Sequence, residues 1–183
     1  ETMPIPESRM LIDANGTPLD IDLYDLQTWR ENRWSVFAPQ FDASPALRAV
    51  FAANLETAHK FQRALSVPLG DTRTEIALFG GDCLPTRQRA LVERRQGLMA
   101  LLADAGDLED RRPNVDYGHL LFSQGDGLVT RASQVARSQD LYARQGIAAD
   151  LFNAEQTVFL CEKHTALTAN PFFQNNLLYF LLR

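Results

Sequence analysis

The chain has 183 residues, 45% apolar and 22% charged, the proportions of an ordinary globular domain long enough to bury a core. Its net charge of −5, with no run of lysines or arginines, argues against a nucleic-acid surface, and no apolar run approaches the roughly 20 residues of a membrane span. Two cysteines, Cys83 and Cys161, do not make a disulfide framework, and without a CxxC or Cys/His cluster neither a metal site nor a cofactor is expected; whether the two meet stays open.

Residues 9–43 are loop-rich. Arg9–Asp13 has the character of a short strand, Asn15-Gly16 is a strong turn signal, and Leu26–Arg33 fits a short helix flanked by Trp29 and Trp34. The clearest helix covers 44–66. Ser44 suits the cap and Pro45 the first turn, while Leu47, Val50, Phe51, Leu55, Ala58, Phe61 and Leu65 share one helical stripe; Pro68 and Gly70 end it. His59 lies beside that stripe, where a structural role is expected.

The period then changes. Thr74–Phe79 reads as a buried strand stopped by Gly80-Gly81. Residues 87–104 fit either one helix or two strands turning at Gln96-Gly97, and glycine inside a helix costs about 1 kcal/mol relative to alanine, which favours the hairpin. The four arginines between Arg87 and Arg95 are interleaved with Leu91, Val92 and Glu93, as in a solvated edge. Gly118–Phe122 is a short apolar run leading into Ser123-Gln124-Gly125-Asp126-Gly127. A helix is expected from about Thr130 to Ala143, a strand over Gln156–Cys161, and a final helix from Asn170-Pro171 to Leu182. Strand, loop, helix, strand, loop, helix implies an α/β fold with a parallel sheet.

Asp126 and His164 stand out by position, each on a loop following an expected strand. In open α/β sheets, sites form outside the carboxyl ends of the strands. There the histidine would act as general base and the aspartate would fix its tautomer. Alone, Gly-Asp-Gly is ordinary turn chemistry and a histidine after a strand is ordinarily structural. Together, in the order acid then base, they follow the chain order of α/β-hydrolases, and the 38 residues between them leave room for one helix and one strand. Asp82 is the rival acid because it too follows a strand; His119 is the rival base, although it precedes the acid.

Gly125-Asp126-Gly127-Leu128-Val129 resembles the Gly-Asp-x-Thr-Val acid loop of the lecithin:cholesterol acyltransferase-like hydrolases, with Leu128 at the usual threonine. Leu78-Phe79-Gly80-Gly81-Asp82-Cys83-Leu84-Pro85-Thr86 resembles that family's strand ending in Tyr-Gly-x-Gly-x-Pro-Thr, with a charge inserted at Asp82. His164 followed by Asn170-Pro171 is similar to its histidine and final helix, and Met3-Pro4 through Trp34 to its cap region. The resemblance implies Asp126 as triad acid, His164 as triad base, and an ester-handling hydrolase or acyltransferase, often acting on lipids.

The expected architecture is the C-terminal part of an α/β-hydrolase fold: a cap or lid over residues 1–70, then a C-terminal portion of the core over 71–183. Met10, Leu11, Ile12, Trp29, Trp34 and Phe37 are candidates for an acyl-chain face of the cap, or for ordinary packing. None of Ser8, Ser35, Ser44, Ser66, Ser123, Ser133 and Ser138 stands in a G-x-S-x-G elbow. The nucleophilic serine and the oxyanion amides are therefore expected on a partner, an N-terminal half of the same hydrolase, either a separate chain or a removed segment. The start at Glu1-Thr2-Met3-Pro4 reads as the middle of something longer. The competing expectation is a non-catalytic interaction module that keeps a hydrolase-like half-fold.

Overall fold

A computed structural model describes residues 9–65, 67, 69, 73–135 and 154–183. The fold is mixed α/β with small sheets, some parallel. Two compact units emerge, Glu1–Val67 with Arg89–Tyr117, and Pro68–Gln88 with Gly118–Arg183. A single division into 1–70 and 71–183 does not describe this grouping, because residues 89–117 pack with the first segment. The reason is strand pairing between the two.

In the first unit β1 (Leu11–Ile12) runs parallel to β4 (Ala90–Arg95), with Leu11 opposite Ala90 and Ile12 opposite Leu91. β4 continues antiparallel to β5 (Leu98–Leu102). The hairpin expectation holds. Gln96 and Gly97 both take positive φ, 49° and 85°, as a tight hairpin turn with the right-handed twist of its strands requires. The Asn15-Gly16 turn also forms, with Gly16 at φ 82° donating its N–H to Asp13 O. Ile12, Leu91, Leu11, Val92 and Trp34 are buried. Trp34 donates its indole N–H to Met99 O at 2.6 Å, so its one polar atom is satisfied. The expected acyl-chain face is thus largely core: Leu11, Ile12 and Trp34 are buried, and Met10 and Trp29 pack against them.

α1 covers Leu26–Glu31, capped by Asp25. α2 covers Pro45–Leu65, with Ser44 Oγ accepting the Leu47 N–H. Its stripe is split. Leu55 is buried and Phe51 partly so, but Leu47, Val50, Phe61 and Leu65 are exposed. His59 stacks on Tyr24, with ring centroids 4.8 Å apart, which is the structural role expected of it.

In the second unit β2 (Ala77–Gly81) runs parallel to β7 (Gln156–Leu160), as the placement of two loops at one sheet edge requires. Gly80 and Gly81 do not stop the strand; they are its last two residues, opposite Phe159 and Leu160. A side chain is excluded at Gly81 by the Glu162 carbonyl, and at Gly80 it would displace the side chains packed there. A Cβ at Gly80 would overlap Gln134 Oε1 and lie 2.8 Å from the Phe159 ring, and one at Gly81 would lie 2.8 Å from Asp126 Cβ. The apolar run before the acid loop also differs from expectation. Tyr117–Leu121 is a helical turn, α3, and the strand β6 starts only at Phe122, running to Gly125 antiparallel to β3 (Leu84–Arg87). No single parallel sheet carries both loops among the described residues.

Of the helix expected from Thr130 to Ala143, the described part is α4 (Arg131–Gln134), capped by Thr130; residues 136–143 lie outside the described residues. The last helix, α5 (Pro171–Leu182), forms as expected, with Asn170 Oδ1 accepting the Phe172 N–H and Pro171 in the first turn. It packs Phe173 edge-on against Phe79 of β2, centroids 5.0 Å apart. Cys83 and Cys161 form a disulfide just beyond the carboxyl ends of β2 and β7.

Candidate functional site

Asp126 follows β6 directly. The turn beyond it closes on itself: Asp126 donates its N–H to Val129 O, while Asp126 Oδ1 accepts the N–H groups of Leu128 and Val129 at 3.0 and 2.7 Å. Gly127, at φ 90°, supplies the left-handed residue the turn needs. Its N–H is bound by Thr86 Oγ1 at 2.9 Å, and Thr86 is almost fully buried in β3. With Oδ1 committed to the backbone, the other carboxylate oxygen is free to point outward.

That oxygen meets His164. Asp126 Oδ2 lies 2.8 Å from His164 Nδ1, and the His164 N–H bonds to Asp126 O at 3.0 Å. The Asp126 side chain is 3% exposed and that of His164 47%. Burial by itself raises the Asp126 pKa. Hydrogen bonds from Val129, His164 and Leu128, with the attraction of an imidazolium, outweigh it and hold the carboxyl below the ordinary aspartate range. At neutral pH Asp126 is then ionised and can only accept, so the Nδ1 of a neutral His164 carries the proton and Nε2 carries the lone pair. A half-exposed imidazole with a basic Nε2 and a fixed tautomer can take up a proton from a hydroxyl placed beside it.

The histidine loop is stapled on its other side. Glu162 accepts the Lys163 N–H at 3.0 Å and the Asn170 side-chain amide at 3.1 Å, so the residue that caps α5 also fixes the loop leaving β7. These two bonds, the Lys163 amide first, lower the Glu162 pKa.

The rival assignments go elsewhere. Asp82 pairs with Arg131 at 2.8 Å, and Arg131 also lies over the Phe159 ring. His119 lines an open cavity of about 410 Å³ with Cys83, Leu84, Pro85, Phe122 and Gln124. Among the described residues no cluster of His, Cys, Asp or Glu is arranged to hold a metal, and no helix is long and apolar enough to cross a membrane.

Three contributors were not singled out as site residues in the sequence. Thr86 lay inside a quoted motif, but only the fold places its hydroxyl under Gly127. Gln134 and Glu162 carry no local signal, since each acts on a segment distant in sequence or on a loop whose course the sequence does not fix. Compared with models of known families, with curated proteins and with solved structures, the chain matches none.

Proposed function

We propose that this chain supplies the acid and the base of a serine-dependent ester hydrolase or acyltransferase of the α/β-hydrolase type, acting on a lipid or another ester. The observation that carries this reading is the 2.8 Å contact of a buried carboxylate with a half-exposed imidazole, each on a loop at a strand end. In this reading His164 Nε2 takes the proton of a serine hydroxyl as its oxygen attacks the acyl carbon. Asp126 stabilises the imidazolium without taking its proton. His164 then protonates the departing alkoxide, which leaves as the alcohol. Water or an acceptor alcohol next gives its proton to Nε2 and attacks the acyl-serine, returning the free serine. The serine and the oxyanion amides belong to polypeptide outside residues 1–183, an N-terminal half of the same hydrolase.

One observation favours a second reading, a non-catalytic interaction module: no serine of this chain stands in a nucleophile elbow. Kinetics of the assembled protein separate the two. Asp126→Asn and His164→Ala should each lower kcat on the order of 10⁴-fold with folding intact by circular dichroism. The 183-residue chain alone should release no p-nitrophenol from activated esters above background. Activity within about tenfold of wild type in either mutant rejects the assignment, as does phosphonate-sensitive turnover by the chain alone.

A further inference from the structure

We propose that Gln134 is a positioning residue, the brace that holds the acid loop against β2 so that Asp126 meets His164. Its use in catalysis rests on the reading of that pair as acid and base, but the positioning can be measured without turnover.

Gln134 ends α4, eight residues after Asp126. Its side-chain nitrogen donates twice, to Val129 O at 2.8 Å and to Gly81 O at 2.9 Å. Val129 O is the acceptor that closes the Asp126 turn, and Gly81 is the last residue of β2, whose missing Cβ lets Asp126 approach. One amide therefore ties the turn that presents the carboxylate to the strand it packs on. Val129 supplies the shorter of the two backbone bonds to Oδ1, so a shift of Val129 turns the carboxylate and moves Oδ2 relative to His164. No side chain with a single donor could bridge both carbonyls.

The other half of the amide shows that packing does not select glutamine here. Gln134 Oε1 is buried without a hydrogen-bond partner among the described residues, against Gly80. Turning the amide over would set Oε1 against two carbonyl oxygens, so the orientation is dictated by the acceptors. A buried oxygen left unbonded is destabilising, and an apolar side chain of the same length would avoid that cost. Its presence is explained by what the nitrogen does. Asp126, whose low pKa depends on the Val129 and Leu128 N–H groups, is the reporter of that action.

The test is nuclear magnetic resonance on the labelled 183-residue chain, reading the pH titration of the Asp126 carboxyl carbon and the downfield proton on His164 Nδ1. Gln134→Met keeps the length and removes both donors. It should fold, move the Asp126 midpoint upward and abolish or broaden the Nδ1 proton signal. Gln134→Asn, too short to reach both carbonyls, should give a smaller shift in the same direction. Phe173→Leu, which loosens α5 against β2 away from the acid loop, should lower the melting temperature and leave the Asp126 midpoint in place. An unmoved midpoint in folded Gln134→Met overturns the proposal. So does failure of both Gln134 variants to fold, which would make the residue merely structural. In the assembled enzyme Gln134→Met should reduce kcat on the order of 10²-fold at constant KM. If the catalytic reading fails instead, Asp126→Asn stays active while the resonance shifts are still seen.

Discussion

The two units are held by different forces. Every buried apolar side chain among the described residues, apart from Leu121, belongs to the first unit. Its β1–β4–β5 sheet closes over Leu11, Val92 and Trp34, and its indoles are satisfied by backbone carbonyls. The second unit buries Thr86 and Asp126 and excludes a side chain at Gly81. It is tied by the Cys83–Cys161 bond, the Arg183 pairs with Glu75 and Glu155, and the bonds of Thr86, Gln134 and Glu162. Apolar packing is non-directional and tolerates small slips, whereas hydrogen bonds fix where an atom sits. Among the described residues, the unit that carries the acid and the base is the one that buries polar side chains in place of a large apolar core, and directional bonds hold its site.

The sharpest way to break this comparison is to remove the covalent tie. In the chain-entropy account, a disulfide closing a loop of 78 residues contributes about 4–5 kcal/mol. Cys83→Ser should therefore destabilise the second unit by a large part of that amount. Hydrogen exchange should rise across β2 and β7 and stay slow in β4 and β5. Uniform loss of protection over both units would show that they do not differ as described.

The reciprocal experiment is Ile12→Ala. Ile12 is fully buried, so its truncation should cost roughly 2–5 kcal/mol. Protection should fall in β4 and β5 while the downfield His164 proton persists in the folded fraction. A change at His164 in chains that remain folded would mean that the site depends on the apolar core.

Acid gives the smallest effect. Asp126 is held low, so its bonds contribute fully above the ordinary aspartate value of about 4 and are lost as pH falls through its depressed folded value. Exchange around Gly125–Val129 and His164 should accelerate in that window. In the first unit burial raises the pKa of Glu93, but hydrogen bonds from Glu109, Asp110 and Arg95 outweigh it. Acid should there loosen the loop at Glu109–Asp110 and spare the buried sheet. Site exchange unchanged as pH falls through that whole window would contradict the assigned bonds.

Much of the local structure was legible. Ser44-Pro45 and Asn170-Pro171 start helices because their caps act within three residues. Gln96-Gly97 turns a hairpin because only certain residues accept its positive φ. The stripe of α2 was misleading, since helical spacing places Leu47 and Phe61 on one face but cannot say whether anything covers that face. Gly80-Gly81 read as a stop because glycine usually interrupts strands, whereas here it lets neighbouring groups pack close against the strand end.

Sequence by itself determined the elements whose signals are local: caps, turns, the presence of strands near residues 77 and 156, and the candidacy of Asp126 and His164 through their order and motif. Tertiary structure alone decided that the two side chains meet at 2.8 Å, that Cys83 reaches Cys161, and that Asp82 turns to Arg131. It also decided that residues 89–117 join the first unit. The reason is one of range. A cap or a turn is fixed by bonds spanning a few residues, while a contact between residues 38 or 78 apart depends on the register of every strand between them.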